Sequence, residues 1–179
     1  MNTLQQLLER YAPTFPKEAI FKDNFFELLR HPRAFFRDHL PGHITGSAWV
    51  VNPQRTHCLL LHHQKLDKWL QPGGHADGCL DVATVACKEL NEETKLGEYH
   101  LVEHAIFDLD IHTIPPRVDF PQHLHYDVRF LVEAPLHASI QGNHESKKVQ
   151  WVPFNELEKF TVNESILRMR QKTQLLAIS

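Results

Sequence analysis

Residues 73–96 read Gly73-Gly74-His75-Ala76-Asp77-Gly78-Cys79-Leu80, then Asp81-Val82-Ala83-Thr84-Val85-Ala86-Cys87-Lys88-Glu89-Leu90-Asn91-Glu92-Glu93-Thr94-Lys95-Leu96. The second part predicts a helix over Asp81 to about Thr94. Val82, Val85, Ala86 and Leu90 recur at helical spacing and make one buried face. Glu89, Glu92 and Glu93 fall at i, i+3 and i+4, so their carboxylates gather on another. Like charges on adjacent turns repel by a few tenths of a kcal/mol per pair, and a compensating cation relieves that. Lys88 and Lys95 supply part of it. A hard divalent ion suits better, because Mg²⁺ takes oxygen ligands and keeps waters for a phosphate substrate. A solvated acidic helix face is the alternative for the glutamates alone. The preceding Pro72-Gly73-Gly74 turn favours the metal, since uncovered backbone lets a carbonyl reach an ion or an amide reach a phosphate.

Working outward, residues 1–40 read as helical. Thr3 caps a helix carrying Leu4, Leu7, Leu8 and Tyr11, Pro13 and Pro16 break it, and a second helix follows through Ile20, Phe21, Phe25, Leu28 and Leu29. Strands are expected at 44–51, 58–61, 101–112, 124–133 and 147–152, with a glycine-opened loop at 71–74 and a helix from Asn155 onward. Helices, strands, a central helix, strands and a helix in that order give an α+β class with a mixed sheet covered by helices. The division expected is a helical extension over 1–40 and one domain over 41–179.

Composition excludes several classes. A net charge of -3 argues against gripping a nucleic-acid polymer by its backbone. Three cysteines without Cys-x-x-Cys spacing fit a reducing compartment. The stretch MNTLQQLLER lacks an apolar signal region, and no run approaches the ~20 apolar residues of a membrane helix. A cytoplasmic protein with a small-molecule partner is the expectation.

The segment around the glycine turn resembles the Nudix hydrolase signature, G-x5-E-x7-R-E-U-x-E-E-x-G-U with U bulky and apolar. With the first glycine at Gly74, residues Glu89, Leu90, Glu92, Glu93 and Leu96 match. Leu80 stands in place of the first glutamate, with Asp81 beside it as a possible substitute. Lys88 replaces the arginine and loses its planar fork. Lys95 replaces the late glycine and disfavours a left-handed cap, which leaves Gly97 to end the helix. The resemblance implies an α/β/α sandwich. It also implies a metal-dependent pyrophosphohydrolase that cleaves a nucleoside diphosphate linked to another group. Its metal shell of Mg²⁺ or Mn²⁺ would be Glu89, Glu92, Glu93 and the carbonyl of Gly73. Glu89 is one expected general base. Glu145, in Gly142-Asn143-His144-Glu145-Ser146, is another, with a plain surface glutamate as its alternative. A non-catalytic nucleotide-binding module of the same fold fits the departures at Leu80 and Lys95.

Fourteen histidines are the unusual count. His123, His125, Asp127 and Arg129 alternate along one strand face, and Asp108, Asp110 and His112 alternate upstream, so two polar strand faces are expected to converge. Three readings stay open for the downstream face: a substrate pocket in which Arg129 takes a phosphate, a zinc-dependent enzyme using His123, His125 and Asp127, or a hydrogen-bonded structural face. His75 and Asp77 in the glycine loop are further expected substrate contacts.

Overall fold

The structure, a computed structural model, describes residues 3–118 and 120–176. Helix α1 spans Leu4–Arg10 and α2 spans Pro16–Leu28. Strands β1 (Gly42–Val51), β2 (His57–His63), β3 (Lys68–Leu70) and β4 (Gly73–His75) follow, then α3 (Val82–Thr94). Next come β5 (His100–Leu101), β6 (Asp108–Ile114), β7 (His123–Glu133) and β8 (Ser146–Pro153), a 3-10 turn over Phe154–Lys159, and α4 (Glu164–Leu176). The chain divides into two compact units. The first holds residues up to 47 with 73–86 and 104–130, and the second holds 48–72, 87–103 and the residues from 131 onward.

In the first unit, the cap expected at Thr3 forms, and it is a reciprocal capping box: the Thr3 hydroxyl accepts from the Gln6 amide at 3.3 Å, and the Gln6 side chain accepts from the Thr3 amide at 2.9 Å. Pro16 begins α2, where its missing N–H costs nothing. Glu18 is fully buried and accepts from the Thr14 and Phe15 amides at 2.8 Å each, and from the Tyr11 hydroxyl. A carboxylate can be buried here because donors surround it. Phe25 of α2 meets Tyr126 edge to face, with ring centroids 5.3 Å apart. Here β4 pairs with β1 (Thr45 opposite His75, Ser47 opposite Gly73), and β6 pairs antiparallel with β7 from Asp108–Arg129 to Ile114–His123.

In the second unit, β2 is flanked by β3 and β8, both antiparallel, and β5 pairs with Val132 and Glu133 of β7. The buried run Cys58–Leu61 is the doubly covered strand its sequence implied. A core of Ala48, Val50, Leu59, Leu90, Leu96, Val132 and Ala134 gathers here, with Tyr99, Ile140 and Trp151 packed on it. Trp49 is fully buried and donates its indole N–H to Thr173 at 2.9 Å.

Four local expectations are corrected. The glycine stretch is not an open loop, since Gly73–His75 forms β4. A Cβ on Gly73 would lie 2.1 Å from the Ser47 hydroxyl, so only glycine permits this pairing. The run 101–112 breaks into β5 and β6. The helix expected from Asn155 starts later, at Glu164, after Asn163 has turned the chain by accepting from the Ser165 amide at 3.0 Å. Finally, α3 ends at Thr94 as its repeat predicts, but the left-handed residue after it is Lys95 itself, at φ 47°, so Gly97 is not needed to stop the helix.

Candidate functional site

The acidic half of α3 lies in the second unit. Leu90 anchors it in the core, and Leu96 closes the far end. Thr94 fixes the helix terminus: its hydroxyl donates to the Leu90 carbonyl at 2.7 Å, and its carbonyl accepts from the Gln141 amide at 2.7 Å. With Leu90 facing inward, Glu89, Glu92 and Glu93 follow the helical repeat to another side. Their settings differ. The Glu92 side chain is 53% exposed and that of Glu89 19%, while Glu93 is buried. Lys88 Nζ lies 3.9 Å from Glu89 and 3.6 Å from Glu92. These are loose pairings of an exposed lysine, of the kind that contribute little. The three carboxylates stand on adjacent turns, graded from buried to exposed, and oxygen groups are the ligands that Mg²⁺ or Mn²⁺ takes, while the side-chain donors grouped closely enough to hold an ion among the described residues are those of His43, His123 and His125. Glu145 is exposed on the turn before β8, and its carbonyl accepts from the Gln64 amide at 2.8 Å.

The loop leading into α3 belongs to the first unit. Asp77 adopts φ 47° and Gly78 φ 86°. A Cβ on Gly78 would meet the Phe36 ring at 2.9 Å, and the Gly78 amide donates to the Phe35 carbonyl at 2.9 Å. Arg37 grips Asp77 in a bidentate pair, Nη2 donating to Oδ2 and Nε to Oδ1 at 2.6 Å. The segment 35–37 thus braces the loop, a role invisible in the sequence because the partners lie 40 positions apart. Leu80, where the signature has glutamate, is 68% exposed. Asp81 beside it caps α3, accepting from the Thr84 amide at 3.3 Å and its hydroxyl at 2.9 Å.

The polar faces of β6 and β7 do converge. Asp108 stands opposite Arg129, Asp110 opposite Asp127 and His112 opposite His125. Arg129 is only 2% exposed, and its guanidinium reaches Asp127 at 2.8 Å, Asp108 at 3.1 Å and Asp110 at 3.2 Å. Asp127 also accepts from the Ser47 hydroxyl at 2.7 Å and the Thr45 hydroxyl at 3.0 Å. Three buried carboxylates hold the Arg129 proton more tightly than usual, against the opposing effect of burial. A phosphate contact at Arg129 would require this buried cluster to open.

Beyond that cluster, imidazoles gather. His123 and His125 face each other with Nε2 atoms 3.3 Å apart. His43 on β1 has its ring centroid 5.1 Å from each of them. His75 lies 4.9 Å from His125 and 5.2 Å from His43, and His112 lies 5.5 Å from His125. Burial, with the neighbouring imidazoles adding to it, lowers the pKa of His125 to about 2 and that of His75 to about 4. His43 is lowered too, by burial first. The expected trio of His123, His125 and Asp127 is therefore recomposed. Asp127 is occupied by Arg129, Thr45 and Ser47, and His43 takes the third place. His43 was missed because strand pairing, not sequence spacing, brings β1 beside β7.

Comparison with known proteins gives this arrangement its family. Residues 42–172 match the NUDIX domain model. The chain belongs to the Nudix family. Similar solved structures include a hydrolase of the NUDIX family from Clostridium perfringens (22% identity, TM-score 0.56, 75% of this chain and 97% of that one). A C. elegans Ap4A hydrolase is similar at 15% identity and TM-score 0.60, with 75% and 97% covered. A UDP-X diphosphatase follows at 21%, 0.55, 86% and 71%. At such identities these neighbours establish the fold, and the α+β class with a mixed sheet expected from the sequence stands. Among curated proteins none matches this chain. Membership brings with it the class that the sequence implied, a hydrolase acting on acid anhydrides. Among the described residues no helix is long and apolar enough to cross a membrane.

Proposed function

We propose that this Nudix chain cleaves a diphosphate linkage in a nucleoside diphosphate joined to another group, with Glu89, Glu92 and Glu93 as ligands for Mg²⁺ or Mn²⁺. The observation that carries the reading is the set of three carboxylates on successive turns of α3, held at the positions of the Nudix signature. When bound, the divalent ion neutralises phosphate oxygens and lowers the pKa of an attacking water. The nucleotide half of the reading rests on family resemblance; the neighbours named as an Ap4A hydrolase and a UDP-X diphosphatase are compatible with it.

The glutamates divide the work by setting. Glu93, buried beside the fixed helix end, is a rigid ligand, and exposed Glu92 is free to adjust as substrate enters. Glu89, mostly shielded, is the general base that accepts a proton from water through a carboxylate oxygen. Glu145 is the competing base. A Glu145→Gln variant with full activity, beside a Glu89→Gln variant without it, favours Glu89.

A second reading, a nucleotide-binding module without turnover, is favoured by exposed Leu80 at the position of the signature's first acid. A panel of nucleoside triphosphates, diphosphate sugars, dinucleotides and dinucleotide polyphosphates with Mg²⁺ or Mn²⁺ separates the two. Released phosphate or nucleoside monophosphate supports hydrolysis. Thermal stabilisation by nucleotide without any product supports the module.

A further inference from the structure

We infer that His43, His123 and His125 form a binding site for a divalent transition-metal ion of the zinc type, with His75 next in reach as a fourth ligand. One ring nitrogen from each of the three lies within 4.8 Å of the others, on residues buried or half-buried at the start of β1 and of β7. The donor set is all imidazole. That chemistry selects Zn²⁺ and its first-row neighbours over Mg²⁺, which takes oxygen ligands.

The hydrogen-bond partners fix which nitrogens are available. His123 Nδ1 faces the Pro121 carbonyl at 2.9 Å, and His43 Nδ1 faces the His39 carbonyl at 3.4 Å. A carbonyl oxygen only accepts, so each Nδ1 carries the proton and each Nε2 keeps its lone pair. A backbone carbonyl behind Nδ1 is also the common second partner of a metal-bound imidazole, where it orients the ring and raises its basicity. His43 is 1% exposed, and its Nε2 is buried with no hydrogen-bond partner among the described residues. An orphaned lone pair of this kind is costly without a cation or donor to meet it.

The spacing agrees. Nitrogens bound to zinc at about 2.05 Å in a tetrahedron lie about 3.3 Å from one another. The Nε2 atoms of His123 and His125 are 3.3 Å apart. A small inward movement of His43 completes three ligands, with His75 or water as the fourth. Asp110 holds His112 through Nδ1 at 3.1 Å, which leaves His112 at the edge of the group. The ion would fasten the start of β1 to the start of β7. This site uses none of the glutamates and does not rest on the proposed hydrolysis.

The test uses the full chain without a histidine tag, stripped of metal and dialysed against Zn²⁺ in excess Mg²⁺, with bound zinc measured by elemental analysis. The expected result is about one zinc per chain, retained in Glu92→Gln and Glu93→Gln and weakened about tenfold or more in His123→Ala and His125→Ala. Co²⁺ in the wild-type protein gives a reading that needs no variant to fold: tetrahedral visible absorption that added Zn²⁺ displaces. No zinc on the wild-type chain, or zinc held undiminished by folded His123→Ala, overturns the inference.

Discussion

Arg129 Nε donates to Asp127 Oδ2 at 2.8 Å between residues two apart on one strand, both almost wholly buried. Alternate residues of β7 share a face, so the pair forms within the strand, and Asp108 and Asp110 complete it from β6. Removing the cation strands buried carboxylates. Arg129→Met is therefore expected to lower unfolding stability by about 3–5 kcal/mol, the usual cost of breaking one partner of a buried ion pair. Urea unfolding measures it, and a loss under about 1 kcal/mol would show the cluster to be dispensable.

The glycine at position 78 offers a smaller, local test. It sits at φ 86° with the Phe36 ring closing over it. Gly78→Ala adds both backbone strain and a clash, so it should cost about 1 kcal/mol or more. A melting temperature equal to wild type would contradict the brace that residues 35–37 supply to the loop.

Much of this organisation was legible in the chain. The helical repeat of Val82, Val85, Ala86 and Leu90 gave the buried face of α3, and each of these residues is buried. Alternation gave the polar faces of β6 and β7, because period two is local information. What the sequence hid depends on partners far away. Glycines at 73 and 74 signal an open loop until β1 is known to lie close enough to pair with them. Lys95 breaks the glycine rule for a helix cap yet adopts the conformation, because Thr94 and Gln141 fix the turn around it. His43 entered the imidazole group only through the strand order, and Asp127 left it because Ser47, Thr45 and Arg129 claim its oxygens.

The buried imidazoles set a pH dependence for the metal-free protein. His125 in the fold titrates at about 2 and His75 at about 4, against an ordinary value of 6.5. Below 6.5 the unfolded chain binds protons that the folded chain refuses, so protonation favours unfolding. Stability is thus retained above this value and falls as the pH drops through the window beneath it. In EDTA-treated protein the urea midpoint at pH 5 should lie below that at pH 7. Equal midpoints would mean that these rings are hydrated and free to charge in the fold.

Removing divalent ions is expected to abolish hydrolysis while leaving the fold in place, since the core around Leu90 needs no ion. Circular dichroism unchanged by EDTA, together with activity restored by Mg²⁺ or Mn²⁺, is the anticipated pair of results. Unfolding on chelation that Mg²⁺ or Mn²⁺ alone reverses would instead make the ion a structural element of the second unit.

Glu92→Gln and Glu93→Gln, assayed on the best substrate of the panel at saturating Mg²⁺, probe the acidic helix most directly. Each exchange keeps side-chain size and removes one anionic ligand, so kcat is expected to fall about a hundredfold or more, in line with the loss of a charge-stabilising group at a reacting centre, while the melting temperature stays near that of the unaltered chain. Turnover at the original rate in both variants would contradict a divalent ion held by these carboxylates.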